Sequence, residues 1–305
     1  MTQDAQAHAE SELRRVPLPA AGEPAFDALQ RRLAAMDDTE LEPGPQALSA
    51  LALGAPPGFD RQEQPGLPVL LASRATDKRQ WEVDFNGNLH LFCVDLSTGA
   101  LLMSPQPLVR GNSAEIPTPS RTGPPPEHDF WVVTNSLRAL DLAQLFENRW
   151  PDGRYTATAI VYDRRSNTVA FDVRQSGDRR GPPTPMAAAA FVHPGRLRAA
   201  DRPSCRVDGA LLQAAFRLPA GQFTLPADAL RLYPVNLVLL RLDDPRPHVA
   251  TIPAPMNELG DRIDVSLALD VRDALPGLDA GAYQAYVFVG DQVAGPMAMQ
   301  LTATS

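Results

Sequence analysis

A stretch near the middle of the chain returns near its end. DGRYTATAIVYD begins at Asp152 and AGAYQAYVFVGD begins at Ala280. Over 22 ungapped positions the copies share six identities: Gly153/Gly281, Tyr155/Tyr283, Ala157/Ala285, Val161/Val289, Asp163/Asp291 and Ala170/Ala298. Two further blocks match upstream in both copies, in the same order: NGNLHLFCVDLSTG (86–99) with DGALLQAAFRLPAG (208–221), and LRALDL (137–142) with SLALDV (266–271). Each copy spans about 100 residues, so the repeat predicts two tandem domains.

The pattern within each copy is that of β-strands. Aromatic and β-branched residues dominate the last block, and the polar turns RRSN and QVAG divide it into hairpins. Asn86-Gly87 and Asp208-Gly209 are predicted as the centres of two equivalent type I′ turns, because both pairs tolerate positive φ. The strand after Gly87 is apolar on nearly both faces, which predicts that both faces are covered. Further strands are predicted at 130–135 and 233–242, and the 31 prolines favour the short strands of a β-sandwich.

Each copy resembles an immunoglobulin-like or fibronectin-III-like sandwich. The resemblance rests on the ending L-x-L-D-V … G-x-Y-x-A-x-x-x-x-x-D and covers roughly residues 66–303. In that superfamily a tyrosine opens the penultimate strand and its hydroxyl bonds back to the backbone, which the resemblance implies for Tyr155 and Tyr283. Disulfide-bonded members carry a cysteine two residues later, where this chain has Ala157 and Ala285, so the inter-sheet disulfide is absent. The resemblance implies a fold and no activity.

The predicted fold class is therefore all-β, with two tandem antiparallel β-sandwich domains. They are predicted at 66–175 and 186–305, joined by a linker at 176–185 and preceded by an acidic, partly helical extension at 1–65. A short helix is predicted over 23–36 and a second one over 45–55. The first helix carries one apolar stripe at helical spacing: Phe26, Leu29, Leu33 and Met36. A helix this short is marginal alone, so it is predicted to dock either on its own sandwich or on a partner.

The sequence contains no motif typical of nucleic-acid binding, membrane insertion, metal binding or catalysis. The net charge of −8 comes without a basic stripe, which disfavours nucleic-acid binding. No run of about 18 apolar residues predicts a membrane span. The two cysteines, Cys93 and Cys205, form neither a disulfide framework nor a zinc motif and are expected to be free thiols. No cofactor, metal or catalytic residue is assigned, because the five histidines are scattered and the His128-Asp129 pair lacks an identifiable nucleophile.

The sequence favours a non-enzymatic binding or assembly protein that acts on a protein partner. One alternative is an enzyme whose active site is built from loops on or between the sandwiches. A second alternative is carbohydrate binding through exposed aromatic residues in the first copy, where Trp81, Trp131 and Trp150 lie, with Trp150 expected to be the most exposed. The candidate partner-binding residues are the four of the helical stripe and Trp150. The N-terminus lacks the apolar segment of a secretory signal, so we expect a cytoplasmic protein, with leaderless export left open.

Overall fold

Strands dominate the described part of the chain. The computed structural model describes residues 48–55, 58–61, 67–75, 89–104, 113–116, 134–145, 150–174, 203–219, 232–241, 243–244 and 246–303. The described strands form antiparallel ladders with one short parallel pair, and the described helices have four residues each. The predicted all-β sandwich fold is confirmed. The helix predicted over 23–36 lies outside the described residues.

The first sandwich consists of two sheets. Its elements are β1 (Leu48–Gly54), β2 (Gly58–Asp60), β3 (Pro68–Ala75), β4 (Leu89–Asp95), β5 (Leu101–Met103), β6 (Ser113–Ile116), β7 (Thr134–Asp141), α1 (Leu142–Leu145), β8 (Gly153–Val161), β9 (Arg164–Arg165) and β10 (Val169–Arg174). One sheet has the order β1-β3-β7-β6 and the other β2-β10-β8-β4-β5, with β9 paired to the end of β8. The Asn167 side chain joins the two sheets, because it bonds both the backbone N–H and the carbonyl of Leu53 in β1.

The second sandwich has seven strands. Its elements are β11 (Ser204–Asp208), β12 (Leu211–Pro219), β13 (Leu232–Leu240), β14 (His248–Leu259), β15 (Arg262–Asp270), α2 (Val271–Ala274), β16 (Gly281–Val289) and β17 (Gln292–Leu301). The strand order is β11-β12-β15-β14-β13-β16-β17. Strand β14 changes sheets along its length, pairing first with β13 and then with β15. Four strands on one sheet and three on the other, in this order, give the arrangement of an immunoglobulin-like constant domain.

The repeat is confirmed at the final hairpin of each sandwich. Val161 pairs with Arg164, and at the equivalent place in the second copy Val289 pairs with Gln292. Further along, Val169 pairs with Ala157, and their counterparts in the repeat, Met297 and Ala285, also pair. Both return strands therefore carry one extra residue at the same point, which is a shared β-bulge.

The hairpin turns use a different geometry from the one predicted at Asp208-Gly209. Asp208 pairs with Leu211, so the two-residue loop is Gly209-Ala210, and within it only Gly209 has positive φ, at 59°. Positive φ at the first loop position alone is the pattern of a type II′ turn. In the final hairpins the same position is held by Gly290, with φ 58°, and by Tyr162, with φ 48°. The Asn86-Gly87 turn lies outside the described residues.

The alignment of 86–99 with 208–221 is wrong. Strand β4 pairs with β8, and the strand that pairs with β16, the counterpart of β8, is β13. Strand β12 instead pairs with β15 as β3 pairs with β7. Both of these sheets meet the following helix in the same way, since Leu142 N–H donates to Leu67 O and Val271 N–H donates to Ala210 O, each at 3.0 Å. The aligned residues are those of a common turn followed by a strand, a pattern that occurs in many hairpins.

The prediction of a second helix over 45–55 is also wrong. Residues Leu48–Gly54 form strand β1, which pairs with β3, and strand β2 pairs with β10. Leu51 and Leu53 alternate into the first core, so packing in a sheet overrides the helix propensity of alanine and leucine. Two strands of the first sandwich thus lie before residue 66. The predicted linker at 176–185 lies outside the described residues, and the division into domains there stays a prediction.

Candidate functional site

Each sandwich contains the corner tyrosine that the resemblance implied. The Tyr155 hydroxyl donates to Pro151 O and the Tyr283 hydroxyl donates to Asp279 O, each at 2.9 Å and each four residues back along the chain. Both side chains are only 1% exposed. Burial, with the nearby Asp95 and Asp152 carboxylates, raises the pKa of Tyr155 to about 12. The prediction for both tyrosines is confirmed, and their roles are structural.

Trp150 is not a surface residue, contrary to prediction. Its side chain is 1% exposed, and its indole N–H donates to Leu142 O at 3.2 Å. The ring meets Tyr155 edge-on with centroids 4.9 Å apart and lies 5.9 Å from Phe171. The polar residues around Trp150 in sequence indicated a loop, but a large aromatic ring beside the corner tyrosine completes the core. Of the other candidate residues, Phe26, Leu29, Leu33 and Met36, with Trp81 and Trp131, lie outside the described residues.

The two sandwiches pack on each other through one sheet of each. On β4, Leu91 and Cys93 point into the first core, while Phe92 and Val94 join the buried cluster of the second sandwich. The Phe92 and Phe288 rings are 5.3 Å apart across the contact. This packing explains why β4 is apolar on both faces, and it confirms the prediction that both are covered.

Polar bonds fix the register of the two sandwiches. Asn236 is fully buried in β13, and its Nδ2–H donates to Gly99 O of the first sandwich at 2.9 Å. Its Oδ1 accepts from the Thr251 hydroxyl at 2.7 Å, so both ends of the amide are used. Gly99 has φ 70°, and a Cβ there would lie 2.2 Å from Cγ of Pro234. Only glycine allows this approach, and the lone asparagine in the apolar run YPVNLVLL was the sequence signal for it.

A second set of bonds joins the hairpin ends. The Tyr286 hydroxyl donates to Tyr162 O at 2.6 Å, and the Arg165 guanidinium donates to Val293 O. Tyr162 is the non-glycine residue with positive φ in the first hairpin. The contact between the sandwiches thus includes backbone groups in both hairpins, which a sequence pattern does not reveal.

His90 and Asn236 occupy equivalent places in the two sandwiches. His90 pairs with Ile160 and Asn236 with Phe288, and these two partners occupy the same position of the repeat. His90 is 2% exposed and its ring stacks on Phe92 at 5.9 Å. Burial lowers the pKa of His90 to about 4, so the imidazole is neutral at pH 7. A buried neutral ring between packed sheets fits a structural role.

The repeated aspartates lie in hairpin turns. Asp163 and Asp291 follow Tyr162 and Gly290 in the loops of the final hairpins. Burial raises the pKa of Asp291, partly opposed by the Arg154 charge, and its Oδ1 makes no hydrogen bond. In the part of the chain that the structure describes, no group of three or more His, Cys, Asp or Glu side chains could hold a metal ion.

The cysteines do not form a reactive pair. Cys93 is a free thiol buried in the first core, and Cys205 is a free, half-buried thiol on β11. Burial raises the pKa of both thiols, that of Cys205 to about 11. Neither is a thiolate at neutral pH, so neither is an activated nucleophile. Residues His128 and Asp129 lie outside the described ranges.

One broad surface in the second sandwich is solvent-exposed. We define the open face as the outward side of the β11-β12-β15-β14 sheet, formed by Ser204, Arg206, Asp208, Leu211, Gln213, Ala215, Arg217, Asn257, Leu259, Asp264, Ser266, Ala268 and Asp270. Short side chains, with Ala215 beside Ser266, occupy its centre. Leu211 and Leu259, 41% and 60% exposed, lie nearer its ends. Arg217 and Asp264 form an ion pair of 3.0 Å across it.

This geometry suits contact with a flat surface better than small-molecule chemistry. Strands β12 and β15 have nine residues each, β11 has five, and four residues of β14 pair with β15, which gives roughly 19 Å by 22 Å, or about 400 Å². That is about half of the roughly 800 Å² that one partner contributes to a standard protein interface. None of the residues that form the open face is aromatic.

The comparisons with known proteins identify no family. No family model matches the sequence, and no curated protein matches it. Among solved structures, domains 5–6 of the S-layer protein SbsC share 11% identity, with 85% of this chain and 99% of that chain covered and a TM-score of 0.17. The tandem Ig repeats of Dlar share 9% identity over 82% of this chain and 96% of that chain, with a TM-score of 0.12. The C-terminal domain of the Streptococcus pyogenes antigen I/II-family protein AspA shares 8% identity over 85% of this chain and 100% of that chain, with a TM-score of 0.17.

In the described ranges no helix is both long and apolar enough to cross a membrane.

Proposed function

We propose that this chain is a non-enzymatic binding or assembly protein that acts through protein–protein contacts. The observation that supports the proposal is the open face of the second sandwich, a flat four-stranded surface whose alternate residues are exposed. The opposite sheet of the same sandwich is occupied by the first sandwich. No described element covers the open face, which leaves this broad sheet surface of the second sandwich available to a partner.

The occupant we propose is a folded protein with a flat surface. The open face mixes charged and polar side chains with two separated leucines, so it lacks the continuous apolar row on which an amphipathic helix would dock. Charges of both signs lie on it, with Arg206 and Arg217 near Asp208 and Asp264. Paired charges of this kind orient a partner and contribute to specificity more than to affinity.

The two alternatives receive less support. Carbohydrate binding was predicted from Trp81, Trp131 and Trp150; Trp150 is buried in the first core, and the other two lie outside the described residues. The enzyme alternative predicted an active site built from loops on or between the sandwiches; its candidate pair His128-Asp129 lies outside the described ranges, and His90 is buried against Phe92. The cytoplasmic location stays a proposal, which cell fractionation with an antibody to the native protein checks.

The test compares one substitution on the open face with the same substitution elsewhere. Ala268→Arg places a long charged side chain at an exposed position near the centre of the open face. Ala298→Arg makes the identical change at an exposed position on β17, in the other sheet. Partners are captured by cross-linking in the native host and identified by mass spectrometry, after far-UV circular dichroism shows both variants folded.

We expect the wild type and Ala298→Arg to retain the same protein partner and Ala268→Arg to lose it. If Ala268→Arg retains every partner of the wild type at equal yield, the open face is not the contact surface. Loss of the partner in both arginine variants would also count against this location.

A further inference from the structure

The outward side of the first sandwich differs from the open face of the second. In β1 and β3, Leu51, Leu53 and Leu71 point into the first core. Ala52 and Leu70 alternate with them and so point outward. Both are nevertheless inaccessible to solvent, with 0% and 2% exposure, and neither belongs to the first core cluster. On the corresponding sheet of the second sandwich, outward residues such as Leu211 are exposed.

The described strands do not supply a cover for this side. All of them are accounted for by the two sheets of each sandwich, and the second sandwich contacts the other sheet of the first. Backbone register places Ala52 next to Ala72 and Leu70 next to Ala139, so the row of outward positions continues with apolar residue types. A row of adjacent apolar outward positions of this kind is normally covered in a soluble protein.

We propose that residues 23–36 dock as an amphipathic helix on this outward face of the β1-β3-β7-β6 sheet. The occupant is the apolar stripe Phe26, Leu29, Leu33 and Met36, whose spacing places all four on one side of a helix. A helix of 14 residues is about 21 Å long. Four strands span about 19 Å, so the helix matches the width of the sheet.

The connection to β1 makes the docking intramolecular. Residues 37–47 separate the stripe from Leu48, the first residue of β1. An extended connection of this length reaches about 36–40 Å, which exceeds the width of the sheet. A short tether holds its two ends at an effective concentration in the millimolar range. An isolated helix of this length is marginal in water, and covering the sheet stabilises helix and sheet together.

Other occupants fit less well. The 117–133 segment enters β7 of the same sheet, but PTPSRTGPPPEHDFWVV has five prolines and no helical stripe. A second copy of the chain would have to displace its own tethered segment. Such a cover would depend on protein concentration, and the test below distinguishes it.

The test measures the accessibility of the covered face in the full chain. Ala52→Cys in a Cys205→Ser background introduces a thiol at the covered position, and the same background without Ala52→Cys corrects for Cys93. The rate of thiol modification is then compared with and without Leu29→Gln/Leu33→Gln, which makes the stripe polar. The matched control is Arg31→Gln/Ala35→Gln, which changes the opposite side of the same helix.

We expect slow modification with the natural stripe and with the control, and modification at least about tenfold faster with the polar stripe, the factor that 1.4 kcal/mol of local opening represents. In a chain that has no substitution in the sandwich, Leu29→Gln/Leu33→Gln should also increase the fluorescence of an apolar dye such as ANS. This second measurement applies if Ala52→Cys fails to fold.

Three results would overturn the proposal. Fast modification with the natural stripe means that the face is open. Equally slow modification and unchanged dye fluorescence with the polar stripe mean that another segment covers it. Protection that falls on dilution, together with a dimer in light scattering, assigns the cover to a second copy.

Discussion

Replacing Tyr283 tests whether the corner tyrosine holds the second sandwich together. In Tyr283→Phe only the hydroxyl is lost, and with it the 2.9 Å bond to Asp279 O. One hydrogen bond contributes about 0.5–1.5 kcal/mol to the free energy of unfolding. Asp279 lies in an exposed turn where water can replace the hydroxyl. We therefore expect a loss in the lower half of that range.

Tyr283→Ala removes the ring as well. The side chain is 1% exposed, lies under the Arg241 guanidinium at 5.5 Å and meets His248 edge-on at 5.9 Å. Truncating a buried aromatic side chain costs about 3–5 kcal/mol, because packing is lost and a cavity remains. The alanine variant should therefore lose several times as much stability as the phenylalanine variant. A loss of this size is a large fraction of the stability of a domain.

The assay is urea unfolding of the full chain, followed by circular dichroism. Tyr155→Phe and Tyr155→Ala form the matched pair in the first sandwich, where the hydroxyl bonds to Pro151 O. Tyr162→Phe, at a half-buried hairpin position, is the control and should change stability by less than about 0.5 kcal/mol. The structural role is refuted if both alanine variants also stay within about 0.5 kcal/mol of the wild type.

Three further predictions concern the pH dependence, the bulge and the shared core. Unfolded histidine binds a proton below pH 6.5 and His90 only below about 4, so the free energy of unfolding should fall by up to about 3 kcal/mol between these values. His90→Asn introduces the residue type found at the equivalent position of the second sandwich and should abolish this fall. The raised pKa of Asp291 acts in the opposite direction on the free energy of unfolding and should remain. An unchanged pH dependence of the free energy of unfolding would contradict the assignment of this fall to His90. Gly209 has φ 59° and open space around it, so Gly209→Ala should lower the free energy of unfolding by about 1–2 kcal/mol through backbone strain alone. Gly295→Ala, whose Cβ would lie 2.6 Å from a backbone oxygen, should cost more in the same urea assay, and a smaller cost would be inconsistent with the bulge geometry. Phe288→Ala should cost about 3–5 kcal/mol and shift tryptophan fluorescence, which comes only from the first copy, to lower urea; an unshifted signal would mean that the sandwiches unfold independently.

Much of the fold could be predicted because the repeated hairpin carries its own register. The resemblance of the ending G-x-Y-x-A to immunoglobulin-like sandwiches implied the corner role of Tyr155 and Tyr283, and both form the expected backbone bond. The local sequence pattern did not distinguish a helix from a strand where the residue types suit both. The run that forms β1 is rich in alanine and leucine, residues that favour helices, and only pairing with β3 makes it a strand.

The candidate site was less predictable because it depends on which faces meet in space. The apolar character of both sides of β4 indicated a second covering layer, but not that the layer was the other sandwich. Trp150 shows the opposite error, since nearby polar residues hide its packing against Tyr155. The exposure of the open face follows from strand order, which the incorrect alignment of β4 with β12 obscured.

The packing of one sandwich on the other arranges four sheets in series. The β1-β3-β7-β6 sheet forms one outer layer and the open-face sheet forms the other, with the two contacting sheets between them. Packed sheets lie about 10 Å apart, so the outermost backbones are separated by about 30 Å. A segment that runs from one outer layer to the other therefore needs at least about nine extended residues. The open face is thus held about 30 Å from the opposite outer sheet.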